Sequence, residues 1–226
     1  KSEDFFRCHG GLWGDSDHVP RRTPRGANRR TSVPAGRAGE DGKHFFPQAK
    51  TAFGQTLADV SEDQWLFAIN DVQPCFIRVE SDELTYNLHI LLRFEIERPL
   101  VAGDLAPKDV PGVWNETFHR YFDMTPPNDT LGCLQDIHWS FGGIGYFPTY
   151  TIGNLYAAAL GRQMQLDLPD LWDRVEVGDF APVLGWLRTH VHRHGRRFAS
   201  AELVRRVAGA VDPVEALLDH LWERHG

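Results

Sequence analysis

Cysteine is scarce in this 226-residue chain: Cys8, Cys75 and Cys133 stand far apart and form no C-x-x-C pair. That excludes a disulfide framework and a cysteine-rich zinc module, and it suits a reducing cytoplasm. No apolar run approaches the roughly 20 residues a spanning helix needs, and the opening KSEDFFRCHGG lacks the form of a secretory signal. A cytoplasmic location without a membrane partner is therefore expected. Basic residues are in deficit, 24 Lys and Arg against 31 Asp and Glu. A net charge of −7 argues against a nucleic-acid surface. No H-E-x-x-H is present, and alternating strand patterns are rare.

Aromatic residues are missing from Gly14 to Lys43, where VPRRTPRGANRRTSVPAGRAGEDG is packed with Arg, Pro, Gly and Ala. Residues 1–43 hold 9 Lys or Arg against 6 Asp or Glu, and the remainder 15 against 25. Composition thus divides the chain into a basic arm over 1–43, expected to be disordered, and a domain over 44–226. Three readings of the arm stand side by side: a flexible tail, a dock for an acidic partner, or a GC-rich gene read out of frame.

From His44 onward the sequence reads as successive helices, and the fold class is mainly α with little or no sheet. SEDQWLFAIN carries a capping box, Ser61 with Gln64, and puts Trp65 and Ile69 one turn apart, the pattern of a core helix. SDELTYNLHILLRFEIERP is the clearest element, with Ser81 as expected cap and Pro99 as expected stop. Leu84, Leu88, Leu91, Leu92 and Ile96 are its predicted buried stripe, and Thr85, His89 and Arg93 share an adjacent polar-edged face. A helix is expected around Trp114 to Phe122. Others follow over IGNLYAAALGRQM, with close packing of Ala157 to Ala159, over FAPVLGWLRTHVHRHG ended by Gly195, over SAELVRRVAG capped by Ser200, and after Asp212 and Pro213.

Two clusters hold candidate chemistry. Arg78, in the apolar setting of Phe76, Ile77 and Val79, needs an anion. Either Glu80, Asp82 or Glu83 supplies it internally, or a substrate carboxylate does. In GCLQDIHWSFGGIGYFPTY, Gln135, Asp136 and His138 precede a glycine hinge and the aromatic residues Tyr146 and Tyr150. Asp136 and His138 lack a third partner at metal-ligand spacing. A substrate-facing role and a buried polar staple between helices both remain open. His190, His192 and His194, amid four arginines, read as a solvated basic helix end.

The runs FAINDVQPCFIRVESDELTYNLHILLRFEIE, WNETFHRYF, GCLQDIHWSFGGIGYFPTYTIGNLYAA and WLRTHVHRHGRRF resemble the C-terminal part of the thermostable (Taq-type) carboxypeptidases, helical zinc metallocarboxypeptidases. Ile77, Arg78 and Asp82 meet the family pattern I-R-x-x-A-D, with Ser81 replacing alanine. Gly132, Gln135, Asp136, His138 and Trp139 meet G-x-x-Q-D-x-H-W in full.

The resemblance implies release of C-terminal residues from peptides, zinc as cofactor, and a cytoplasmic, usually homodimeric enzyme. It makes Arg78 a candidate grip for the terminal carboxylate. Gln135, Asp136, His138, Tyr146 and Tyr150 become candidate substrate-side residues. The family's zinc motifs, H-E-x-x-H and H-E-S, occur nowhere in the chain, so no metal ligand and no catalytic residue is identified. The expectation is a partial carboxypeptidase without its metal-bearing portion. The alternative is an inactive helical interaction or dimerisation module.

Overall fold

The computed structural model describes residues 40–225; the expected arm over 1–43 lies outside them except for its last four residues. Among the described residues there are nine α-helices and no strand. In chain order they are α1 (Glu40–Ala52), α2 (Glu62–Asn70), α3 (Glu83–Ala102), α4 (Val110–Phe122), α5 (Pro148–Asp167), α6 (Leu171–Glu176), α7 (Ala181–His190), α8 (Ser200–Ala208) and α9 (Pro213–His225). None is long and apolar enough to cross a membrane.

Helix α3 occupies the centre, with α4, α5 and α9 packed on it. Its N-terminus is set one residue later than the sequence suggests. Asp82, not Ser81, accepts from the Thr85 backbone N–H at 2.8 Å and from the Thr85 hydroxyl at 2.9 Å. Ser81 instead turns its hydroxyl to the Arg78 carbonyl, 2.6 Å away. Pro99 does not stop the helix, which ends at Gly103 in a left-handed conformation, φ 82°. A proline this close to the C-terminus forfeits only one ladder bond, and glycine adopts the terminating geometry without a Cβ penalty.

The face that α3 buries also departs from expectation. Thr85, His89, Arg93 and Glu97 are buried together with Ile90, Leu92 and Ile96, whereas Leu84 and Leu91 are exposed. Leu92 and Ile96 join Val110, Trp114, Phe118 and Phe122 of α4 and Cys133 in the main core. Each such large apolar side chain contributes about 1.5–3 kcal/mol on burial. A second core gathers Met164, Leu171, Val175 and Trp186. A third seats Ala159 against Val204 and Ala208 of α8; of the predicted alanine face only Ala159 is buried.

The peripheral helices follow their local signals in part: α7 ends at His190, short of the stop expected at Gly195, which instead closes a separate 3-10 turn over His192–His194. Ser61 and Gln64 form the reciprocal capping box at α2, but α2 contains no buried residue and Ile69 is half exposed, so it is not a core helix. Asp212 caps α9 by accepting from the Val214 and Glu215 N–H groups at 2.7 and 3.1 Å. At α8 the cap position is Ala199, with no side-chain bond, and Ser200 is already helical.

Candidate functional site

The extended segment before α3 ends in a short 3-10 turn, Arg78–Glu80, that delivers Arg78 to the flank of α3. The loop after α4 brings Gln135, Asp136 and His138 to the same place. Gln135 docks it: its Oε1 accepts from the Arg78 backbone N–H at 2.9 Å and from Arg93 Nη2 at 2.8 Å. Its Nε2 donates to the carbonyls of Phe76, Leu131 and Gly132 at 2.9–3.1 Å. The amide satisfies backbone groups from two distant segments and so fixes the loop to the turn.

Asp136 supplies the anion that Arg78 requires. One carboxylate oxygen accepts from Arg78 Nε at 3.1 Å and Nη2 at 2.7 Å, while the other accepts from Arg93 Nε at 2.7 Å. Two of the three local candidates do other work: Asp82 caps α3, and Glu83 pairs with His220, Arg224 and His225 of α9. Hydrogen bonding to His220, against some desolvation, holds the Glu83 carboxyl down at about 2.

Two guanidinium groups thus share one carboxylate in a nearly closed setting. Burial works against ionising Asp136, yet the hydrogen bond from Arg78 and the charge of Arg93 hold its pKa below the usual carboxylate value. Burial pulls the fully enclosed Arg93 down to about 10 despite Asp136, still charged at neutral pH. Both arginines are boxed by rings, Arg93 over Trp114 at 4.7 Å and Arg78 over Tyr150 at 5.2 Å. Arg78 Nη1 donates to the Tyr86 hydroxyl at 3.2 Å.

His138 lies beside this cluster in an aromatic enclosure. Its ring centroid is 4.4 Å from that of Phe147, with Phe141, Tyr146 and Tyr150 at 5.6–5.9 Å. Nε2 is 3.0 Å from the Tyr150 hydroxyl. Nδ1 is buried without a hydrogen-bond partner, 3.9 Å from the nearer Asp136 oxygen. Tyr146 is half exposed at the rim. Glu97 secures the loop from below, accepting from Trp139 Nε1 at 2.8 Å and from the Gly145 N–H at 3.1 Å. Gly145 has φ 78° at that contact, a conformation costly for other residues.

All six sequence-stated candidates therefore gather around one locus: Arg78, Gln135, Asp136 and His138 in contact, Tyr150 on His138, and Tyr146 at the edge. The family model of the carboxypeptidase Taq (M32) metallopeptidases matches residues 35–225. The chain belongs to the M32 carboxypeptidase family. It is 43% identical over 183 residues to thermostable carboxypeptidase 1 of Thermus thermophilus, covering 81% of this chain and 36% of that protein. It is 39% identical over 187 residues to carboxypeptidase 1 of Bacillus subtilis, covering 81% and 37%. The solved Pyrococcus furiosus carboxypeptidase aligns with a TM-score of 0.79 at 36% identity, over 84% of this chain and 38% of that one. The chain thus spans little more than a third of each M32 relative, as a C-terminal portion.

M32 membership implies a metal, but the described residues do not fit one. No group of three His, Cys, Asp or Glu among them is disposed to hold an ion. Both oxygens of Asp136 are taken by guanidinium groups, and His138 Nε2 is taken by Tyr150. His190, His192 and His194 form no such group either; His190 stacks on Trp186 at 4.7 Å.

Sequence reasoning missed Arg93, Tyr86 and Glu97. The signal was present, since Thr85, His89, Arg93 and Glu97 recur every four residues. A polar i, i+4 ladder looks like a solvent face until its partners 40 residues away are known.

Proposed function

We propose that this chain carries the substrate-side wall of an M32 carboxypeptidase cleft, one that releases C-terminal residues from peptides, and that it lacks the metal-bearing wall. The observation that carries the reading is the sharing of Asp136 by Arg78 and Arg93. That cluster holds one more positive charge than negative, next to a histidine–tyrosine pair at a partly open rim. Excess positive charge inside low-dielectric walls attracts an anion such as a peptide C-terminus. Asp136 and Tyr86 fix the guanidinium of Arg78 in place before substrate arrives, which lowers the ordering cost of binding.

His138 then orients the Tyr150 hydroxyl through Nε2. Tyr150 and Tyr146 face the peptide, and Gln135 holds loop and turn together. Zinc is the metal expected for the complete enzyme, and a peptide is the expected partner. Since H-E-x-x-H and H-E-S are absent from the sequence, the isolated chain binds no stoichiometric zinc and does not hydrolyse peptides. Elemental analysis together with amino-acid release from a carbobenzoxy dipeptide tests this; stoichiometric zinc with turnover overturns it.

The role of Arg78 is tested at the matching position of the complete Thermus thermophilus relative. Arg→Ala there lowers kcat/KM at least about 30-fold, the equivalent of about 2 kcal/mol. It also abolishes discrimination between a free C-terminal carboxylate and its amide. Unchanged kcat/KM, or retained discrimination, sinks the assignment.

A further inference from the structure

Phe141 is 63% exposed, yet its ring is held against His138, with centroids 5.6 Å apart. Tyr146, 51% exposed, meets the same imidazole at 5.8 Å. The backbone fixes Phe141 there. The Gly143 N–H donates to the His138 carbonyl at 2.7 Å and the Gly142 N–H to the Trp139 carbonyl at 3.2 Å, the bond pair of a Schellman turn. The ring folds back over Gly143, where an added Cβ would stand 2.5 and 2.9 Å from its Cε2 and Cζ. The turn thus presents a large ring to solvent in one place, and no charged residue occurs from Trp139 to Gly161.

The geometry points to Phe141 as a specificity-determining residue, one that takes an apolar side chain, best an aromatic one, from the penultimate residue of a peptide substrate. The inference rests on the reading of Arg78 as the grip for the terminal carboxylate. Position selects the occupant. Outward from the Arg78 guanidinium come the Tyr150 ring at 5.2 Å, then His138, whose Nε2 is 3.0 Å from the Tyr150 hydroxyl, then Phe141. An extended peptide held by its carboxylate at Arg78 advances about 3.5 Å per residue, so the penultimate side chain is the first to reach past His138. Chemistry selects the class of side chain. Phe141, Ile144 and Tyr146 are exposed apolar groups of one uncharged loop, and aromatic rings attract one another in offset or edge-on contact.

The test titrates the isotope-labelled 226-residue chain with N-acetylated dipeptides that end in alanine and carry phenylalanine or glutamine before it. The Gly142, Gly143 and Gly145 amide resonances report binding at the loop. The phenylalanyl peptide should bind at least about fivefold more tightly than the glutaminyl one. Phe141→Ala should bring that ratio to about one, and Phe141→Tyr, which keeps the ring, should preserve it. Gly143→Ala, whose new methyl displaces the ring, should lower the ratio with Phe141 still present.

The inference is overturned if the parent chain binds both peptides equally or binds neither, or if the preference survives Phe141→Ala or Gly143→Ala. The C-terminal amide of the phenylalanyl peptide separates the two readings. An amide bound as tightly as the acid, with the preference for phenylalanine intact, sinks the grip assigned to Arg78 and leaves Phe141 in its role. Selection of acid over amide without that preference keeps Arg78 and removes Phe141.

Discussion

Arg93 and Asp136 are bonded through Nε and a carboxylate oxygen at 2.7 Å, 43 residues apart in sequence, with no part of Arg93 exposed. The same carboxylate neutralises Arg78, so one side chain compensates the burial of two cations.

Removing that charge should be costly. Breaking a buried pair from one side leaves an uncompensated charge, at about 3–5 kcal/mol. Asp136→Asn is expected to lose stability in that range in urea unfolding; a loss under about 1 kcal/mol would show that the arginines find other partners. The Asp136 pKa is depressed in the folded state. Its contribution is therefore fully present above the unfolded value of about 3.9 and is lost as pH falls through the lower folded value. The difference between variant and parent should hold steady from pH 7 to 4.5 and narrow only in stronger acid.

His89 titrates in a different window. It is buried between Phe118 and Phe122, with ring centroids at 5.7 and 4.6 Å. Burial first, and Arg93 second, lower its pKa to about 3. The unfolded chain, near 6.5, binds the proton first, so the neutral ring contributes stability above about pH 6.5 that is lost on acidification. Between pH 7 and 4.5 the parent should lose about 2.5 kcal/mol through this group. His89→Gln should lack that component. A pH-independent gap between the two proteins would contradict the assignment.

Glu97 is the loop's anchor from α3. Glu97→Ala removes the acceptors of the Trp139 indole and the Gly145 amide, at about 1–3 kcal/mol. Amide exchange over residues 139–146 should accelerate, and the Trp139 indole N–H resonance should move toward its solvent-exposed position. Glu97→Gln, which keeps one acceptor oxygen, should fall between. Exchange unchanged in both variants would remove Glu97 from this role.

At α2 the capping box stands almost alone, since the helix buries no residue. Ser61→Ala should cost about 1 kcal/mol and express it locally, as faster amide exchange over residues 64–70 with little change in the rest of the fold. Unaltered exchange there would mean that contacts with α1, not the cap, hold the helix.

The helical class, the capping box at Ser61 and the cap at Asp212 were legible because each depends on residues within one or two turns. The arrangement of the site was half legible. Gln135, Asp136 and His138 were recognisable as a cluster, but for Arg78 local spacing offers only Glu80, Asp82 or Glu83, or a substrate carboxylate, and the anion bonded to it is Asp136, 58 residues on. Adjacent carboxylates had prior commitments, to the α3 cap and to α9, that local spacing does not disclose.

By itself the sequence determined where α2 and α9 begin, which segments are apolar, and the family patterns around Arg78 and His138. Those are properties of short stretches, fixed by capping, periodicity and residue type. Only the tertiary structure decided which side of α3 is inside. Arg93 and Glu97 are buried because Asp136, Gln135 and Trp139 arrive from elsewhere to satisfy them, and His89 because the rings of α4 close over it, while Thr85 is satisfied within its own turn by Asp82. Leu84 and Leu91, apolar though they are, are exposed: among the described residues, the core packs on the opposite side of α3. Burial is a property of what packs against a residue, and that is set by contacts far along the chain.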